Sequence, residues 1–374
     1  MVRISDLARR SALLVPVGAG AALVRAGWQV PAAIGGRPEG ERLARMRRSP
    51  HYRDGAFHNT VPASIAPPSS GPGIMREMVF GKERRKPSRP VPLVVPDLDT
   101  PPSDGLRATW LGHATVLVEL AGRRILFDPV WSERVSPSTV VGPRRLHPVP
   151  VSLEDLPPVD AVVISHDHYD HLDMDTIRRI AALWPDTRFV VPLGVGAHLE
   201  RWRVPLSRID ELDWTESTTV ADVELTATAA RHFSGRLRPG GNGTLWASWV
   251  LAGGGRRIFY TGDSGYFDGY QAIGAEHGPF DATFVQIGAY SPYWPDIHMT
   301  PEEGVATHQA VGGGLLVPVH WCTFNLALHS WSDPVERLLA HAEKNGVRVA
   351  IPRPGQPLDT AAITPPDPWW REVA

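Results

Sequence analysis

Ile164-Ser165-His166-Asp167-His168-Tyr169-Asp170-His171-Leu172-Asp173 places three imidazoles and three carboxylates in ten residues. Residues 161–164 before it are continuously apolar and read as a buried strand, and 174–184 after it read as a helix. The cluster therefore sits on a strand-to-helix turn, where α/β sheets place their chemistry. His166 and His168 are two apart, so an extended backbone points both rings to one side, where they can grip one ion. The chain must then turn, and Asp170 and His171 leave that turn as a second pair aimed at a neighbouring point. Imidazole and carboxylate are ordinary zinc ligands, and a two-metal site needs about this many donors. A histidine-rich polar loop is the plainer alternative. Four potential ligands within six residues, directly after an apolar strand, argue against it.

Before the cluster, residues 107–111, 115–120 and 123–127 read as three short strands, with Ala121-Gly122 as a tight turn. His113 at the first turn is either a buried structural histidine or a group facing the site. Asp128 ends the third strand, where it can orient a metal-bound histidine. The long loop 130–150 carries Trp131, Arg144 and Arg145, and an arginine there can pair a phosphate or face solvent.

After the cluster, 188–192 reads as a strand, 194–202 as a helix, and 210–214 and 223–229 as strands, the last ending near His232. A lone histidine there is weak evidence by itself. Residues 245–251 and 256–261 pair as a hairpin through Gly253-Gly254-Gly255 and end at Gly262-Asp263-Ser264-Gly265. Glycines allow a sharp turn that leaves Asp263 at the strand end, where its two oxygens can bridge two metals. A strand at 281–287 precedes an aromatic loop with Tyr290, Tyr293, Trp294 and His298. Thr300-Pro301-Glu302-Glu303 reads as a capped helix start. A strand at 315–319 ends in His320, 333–344 is a helix stopped by Asn345-Gly346, and 347–351 reads as an edge strand.

His-x-His-x-Asp-His at 166–171 resembles the signature of the metallo-β-lactamase superfamily. Trp110-Leu111-Gly112-His113-Ala114-Thr115, Gly142-Pro143-Arg144-Arg145, Gly262-Asp263-Ser264-Gly265-Tyr266 and His320-Trp321-Cys322-Thr323-Phe324 extend the likeness to its N-acyl-phosphatidylethanolamine phospholipase D branch. The similarity runs from about residue 107 to about residue 337. It implies an α/β protein with the αββα sandwich of that fold. It puts His166, His168 and His232 on one zinc, Asp170, His171 and His320 on another, and Asp263 between them. A metal-bridging hydroxide would attack the phosphoryl group of a small-molecule or lipid phosphodiester, with Asp170 orienting it and His298 as proton donor. The branch carries Gln-His where this chain has Ile297-His298, so the histidine matches and the glutamine does not. Iron-binding members carry a carboxylate at the position of His168, so the implied cofactor is two Zn2+, with Mn2+ or Fe2+ as alternatives. The same ligands would serve a lactonase or β-lactamase, or a non-catalytic metal-dependent binding protein, because fold and metal do not fix substrate.

The chain of 374 residues is 43% hydrophobic and 21% charged, enough for a large core. A net charge of -2 provides no global basic field for nucleic acid. A single cysteine, Cys322, excludes an intrachain disulfide and a cysteine zinc site, and fits a reducing compartment. Residues 1–34 hold an apolar run at 11–24 behind Arg9-Arg10, with the outline of a signal peptide, though it is short for a bilayer and contains Pro16. It reads as a packed or membrane-surface helix, an export signal or anchor, or a leader. Residues 35–102 are rich in Pro and Gly and are expected to wrap a catalytic domain at 103–374, with Trp28, Tyr52 and Phe57 as anchors. Location is expected to be cytoplasmic or peripheral to a membrane, with export open and homodimerisation suggested by family analogy alone.

Overall fold

Strands with apolar residues on both faces need cover on both sides, and this chain supplies it with two sheets and two helical layers. The computed structural model describes residues 30–65, 68–99, 105–360 and 366–374. The apolar run at 11–24 and Trp28 lie outside the described residues. Among the described residues no helix is long and apolar enough to cross a membrane.

The first sheet contains β3 (Leu106–Gly112), β4 (Thr115–Leu120), β5 (Arg123–Phe127), β6 (Ala161–Val163), β7 (Arg188–Pro192), β8 (Ile209–Leu212) and β15 (Pro357–Asp359), in the order β15-β3-β4-β5-β6-β7-β8. Its first part is antiparallel, and the ladder becomes parallel from β5 onward. The second sheet holds β9 (Ser217–Val220), β10 (Val223–Thr228), β11 (Ser248–Gly253), β12 (Arg256–Tyr260), β13 (Phe280–Gln286) and β14 (Gly313–Val319), in the order β14-β13-β12-β11-β10-β9. A small hairpin, β1 (Tyr52–Arg53) with β2 (Ala56–Phe57), precedes both.

Strand alternation shows the layering. Val116, Val118, Ala161 and Val163 join the core between the sheets, whereas Leu117 and Val162 pack outward with Ile177 and Ile180 of α3 (Met174–Leu183). On the far side α6 (Pro301–Ala310) lays Gly304 against Val285 and Ile287. Next to it runs α7 (Asp333–Lys344), with Val335 and Leu338 buried. The result is the expected αββα sandwich. The central strands, such as β4, β6 and β13, are buried on two faces, which explains their continuous apolar runs.

The expected elements differ at their edges. The helix at 194–202 contracts to α4 (Gly196–Arg201), and the strand at 210–214 shifts to β8. Residues 245–247 do not join β11, because Leu245 N–H donates to Leu193 O at 2.8 Å and Ala247 N–H to Ser165 O at 2.9 Å. The hairpin turn is Gly254-Gly255 alone, with φ 56° and 75°, as a two-residue loop of this hand requires. Residues 347–351 make one isolated bridge, Val349 to Leu316, and not a strand. Two helices fall in the Pro/Gly-rich stretch, α1 (Gly40–Arg48) and α2 (Gly71–Phe80), and a further helix, α5 (Gly269–His277), precedes β13. Phe57 is fully buried in the main core and packs edge-on to Tyr52 at 4.9 Å.

Candidate metal centre

The loops that leave β5, β6, β10, β12 and β14 meet at one rim of the sandwich. His166 and His168 follow β6, His232 follows β10, Asp263 follows β12 and His320 follows β14. Two glycines allow this meeting. At Gly262, φ is 56° and a Cβ would lie 2.6 Å from Ser165 Cβ. At Gly265 a Cβ would lie 1.9 Å from Asp296 O. No larger residue fits either approach.

The seven expected ligands come together in two lobes. In one, His166 Nε2 and His232 Nε2 lie 2.8 and 3.3 Å from His168 Nδ1. In the other, Asp170 Oδ2 lies 3.5 Å from His171 Nε2 and 3.4 Å from His320 Nε2. Asp263 joins them, its Oδ2 standing 3.2 Å from His171 Nε2, 3.1 Å from His320 Nε2 and 3.9 Å from both His166 Nε2 and His232 Nε2. His298 approaches the same oxygen with Nδ1 at 3.8 Å.

Three of the rings are held by the nitrogen that faces away. His171 Nδ1 donates to Asp128 Oδ2 at 2.7 Å, so Nε2 points to the site. Asp128 also accepts from Ser165 N at 2.7 Å, Ser165 Oγ at 2.6 Å and the Tyr260 hydroxyl at 2.6 Å. With its proton given to Asp128, Ser165 Oγ is free to accept from His166 Nδ1 at 2.9 Å. His232 Nδ1 donates to Ile297 O at 2.9 Å. Partners of this kind fix tautomer and orientation in metal-binding histidines.

The electrostatics suit a cation. Burial first, and then the neighbouring His171, hold His166 well below the usual histidine range. Burial likewise holds His232 well below it. Asp170 and Asp263 stay charged despite burial, because His171 and other rings face them. Burial disfavours charge on His320, but Asp263 and Asp170 outweigh it and lift the ring to about 9. Burial pushes His298 down to about 4 against the pull of Asp263. Buried His168 Nε2, His171 Nε2, His320 Nε2, His298 Nδ1 and Asp263 Oδ1 have no hydrogen-bond partner. Buried polar atoms are ordinarily paired; the orphaned His171 Nε2, His320 Nε2 and Asp263 Oδ1 in one lobe, and in the other three ring nitrogens crowded at 2.8 and 3.3 Å around His168 Nδ1, fit a pair of metal ions.

His113, ambiguous in the sequence, enters the site directly: its Nε2 lies 2.9 Å from Asp170 Oδ2, and its ring centroid is 4.0 Å from that of His320. Asp128 takes the orienting role expected of it. Ser165, Tyr260 and Asn59 carry no chemistry-specific spacing, and sequence reasoning passed over all three.

A β-lactamase superfamily domain matches residues 123–321. An uncharacterised Mycobacterium tuberculosis protein is 50% identical over 368 residues, covering 97% of this chain and 98% of the relative. The Caenorhabditis elegans N-acyl-phosphatidylethanolamine-hydrolyzing phospholipase D 1 is 40% identical over 230 residues, covering 59% of this chain and 65% of that enzyme. Among solved structures, a metallo hydrolase from the archaeon Ignicoccus hospitalis matches at 20% identity and a TM-score of 0.52, over 68% of this chain and 97% of that one.

Proposed function

The chain is a metal-dependent hydrolase of the β-lactamase superfamily, and on that premise we propose that it is a dinuclear zinc phosphodiesterase acting on a lipid phosphodiester. The observation that carries this reading is Asp263 Oδ2, which stands between two lobes of ring nitrogens at 3.1 to 3.9 Å. His166, His168 and His232 would hold one ion, Asp170, His171 and His320 the other, and Asp263 both. Five neutral-capable imidazoles among seven donors favour zinc over manganese or iron. When bound, the ions would lower the pKa of a water to about 7 and polarise the phosphoryl group.

The remaining groups belong to the protein. Asp128 and Ser165 keep His171 and His166 in the donor tautomer. Asp170 can accept a hydrogen bond from the attacking water and aim it. His298, pushed down to about 4 by burial, is neutral near pH 7 and offers a ring N–H at the rim, suited to bonding the leaving oxygen. A cleft of about 960 Å³ is lined by Lys86, Arg144, Arg145 and His147, and Arg145 and Phe324 lie between it and His113 of the centre. Arg144 pairs with Glu133, while Arg145 stacks over Phe324 at 5.0 Å with its buried Nε and Nη1 lacking partners. Phe324 in turn packs edge-on to His113 at 5.1 Å. Cations there suit a phosphate monoanion.

The lipid assignment is supported by likeness to the nematode phospholipase D and by α2. That helix exposes Met75, Met78, Val79 and Phe80, the last 77% exposed, and Lys82, Arg84, Arg85 and Lys86 follow it. Apolar knobs beside a basic run suit contact with an anionic membrane surface.

The test is hydrolysis of an activated phosphodiester by the purified protein, with and without zinc, beside His166→Ala. Zinc-dependent turnover lost in the variant is the expected result. Absence of turnover by zinc-loaded protein, on this substrate and on a lipid phosphodiester, would reject the proposal and favour a lactone or β-lactam substrate.

A further inference from the structure

His232 is held from outside the matched domain. Asn59, 173 residues away in sequence, donates from Nδ2 to His232 O at 2.7 Å. Its Oδ1 accepts from His232 N–H at 3.0 Å. One side-chain amide thus grips the peptide groups on both sides of the ligand. The same Oδ1 accepts from the fully buried Trp246 indole at 3.0 Å, and Trp246 also reaches Ala230 O at 3.0 Å. These partners leave the amide one orientation.

The same strap reaches the carbonyl that fixes the His232 ring. Ser64 N–H donates to Asp296 Oδ2 at 2.9 Å. Arg231, next to His232, donates from Nε to Pro62 O at 3.0 Å and pairs with Asp296 at 2.8 Å. Ile297, next to Asp296, supplies the oxygen that accepts from His232 Nδ1. Backbone and tautomer of one ligand are therefore both tied to residues 59–64, which precede the matched segment 123–321.

We propose that Asn59 is a positioning residue for the metal centre, through which the strap holds His232 Nε2 on the point it shares with His166 and His168. The proposal rests on the metal reading above. Without the amide, two backbone groups at His232 lose their partner and the loop is free to carry the ring away from the other two donors. Partners that orient a metal ligand commonly contribute about 10–100-fold in affinity.

The test compares the full chain with Asn59→Ala, Asn59→Asp, Arg42→Gln and His166→Ala. Arg42 ties α1 to Glu200 and Glu211 and touches no proposed ligand, so its variant weakens the strap elsewhere. Zinc affinity is read by chelator competition, geometry by the visible spectrum of the cobalt-substituted protein, and folding by thermal unfolding in chelator. Asn59→Ala should lose about 10–100-fold in affinity for one zinc and shift the cobalt bands, with Arg42→Gln unchanged in both. Asn59→Asp keeps the acceptor for His232 N–H and Trp246 and replaces the donor to His232 O by a carboxylate oxygen that repels it. It should shift the cobalt bands as the alanine variant does, and it decides the matter if the alanine variant does not fold. Unchanged zinc affinity and cobalt spectrum in the Asn59 variants would overturn the proposal, as would an equal loss in Arg42→Gln. Undiminished zinc content in His166→Ala would instead bring down the metal assignment itself.

Discussion

The two lobes of the centre are built by different means. His171 is held by Asp128, whose other donors, Ser165 and Tyr260, come from the ends of β6 and β12. That lobe is fixed by the joint between the two sheets, where Tyr260 and Phe127 are fully buried and stack at 4.5 Å. His232 rests on loop groups instead: the Ile297 carbonyl takes its ring N–H, and the Asn59 side-chain amide holds its backbone. One lobe is a product of the core; the other shares that support at His166, through Ser165 and Asp128, and depends at His232 on a contact made by a segment far away in the chain. Damage to the core should therefore strike the His171 lobe first, and damage to the strap the His232 lobe.

Asp263 belongs to both lobes, so its removal tests the division most severely. Asp263→Ala should deplete both ions and reduce turnover by about 10³-fold, the effect expected when roughly 4 kcal/mol of charge stabilisation is lost. Zinc content by elemental analysis and single-turnover rate measure this. Loss of one ion alone would mean that Asp263 serves one lobe and that the two are independent.

Asp128→Asn separates the lobes. The amide cannot accept from all four donors, and the His171 ring loses its anionic partner. Zinc affinity of the Asp170-His171-His320 lobe should fall by about 10–100-fold, with the other lobe less affected. Sequential chelator titration distinguishes two site affinities, and equal weakening of both would erase the contrast drawn above.

How much of this was legible depended on how local the cause is. His166, His168 and His171 could be read because strand period and a following turn aim them without help from elsewhere. Helix 333–344 was legible to the residue, since proline near its start and Asn345-Gly346 at its end mark both limits. The helix Gly269–His277 was not. It buries only Tyr270 and Ile273, and Gly274 lies where a Cβ would come within 2.4 Å of Ala310 O, so no apolar stripe records its packing. Residues 245–247 extend the apolar run of β11, yet their backbone bonds go to loops after β7 and β6. Asn59 offered no signal at all, being one polar residue in a proline-rich stretch whose partner is 173 positions away.

Arg236 tests the strap at a second point. Its guanidinium donates to Ala33 O at 2.8 Å from Nε, and to Asp167 O at 2.7 Å and Leu172 O at 2.8 Å from Nη1. It thus joins the start of the described chain to the ligand-bearing turn itself. It also lies over the Tyr169 ring at 4.0 Å. Arg236→Met preserves the stem and deletes three charge-assisted bonds. A stability loss of about 3 kcal/mol is expected from the carbonyls left unpaired, with a smaller change in zinc affinity than for the alanine variant of Asn59. Chemical denaturation in the presence of chelator gives the first quantity. An effect on zinc alone would show that the strap acts on the metal loop at both points.

The smallest effect is expected at His113, and it bears on how many donors the His171 lobe has. His113 Nε2 faces Asp170 Oδ2 at 2.9 Å, and the residue sits at φ 52°, a left-handed conformation. Asparagine tolerates that backbone better than most residues, so His113→Asn removes the ring with little strain. If His113 only steadies Asp170, zinc affinity should fall by about tenfold, the lower edge of the range for an orienting partner, and the cobalt spectrum should keep its form. His113, Asp170, His171 and His320 nevertheless form one group whose potential ligand atoms all lie within 4.8 Å of one another. A loss as large as that of Asp170→Ala, with altered cobalt bands, would make His113 a ligand in its own right. The core-built lobe would then carry one donor more than the lobe that depends on the strap.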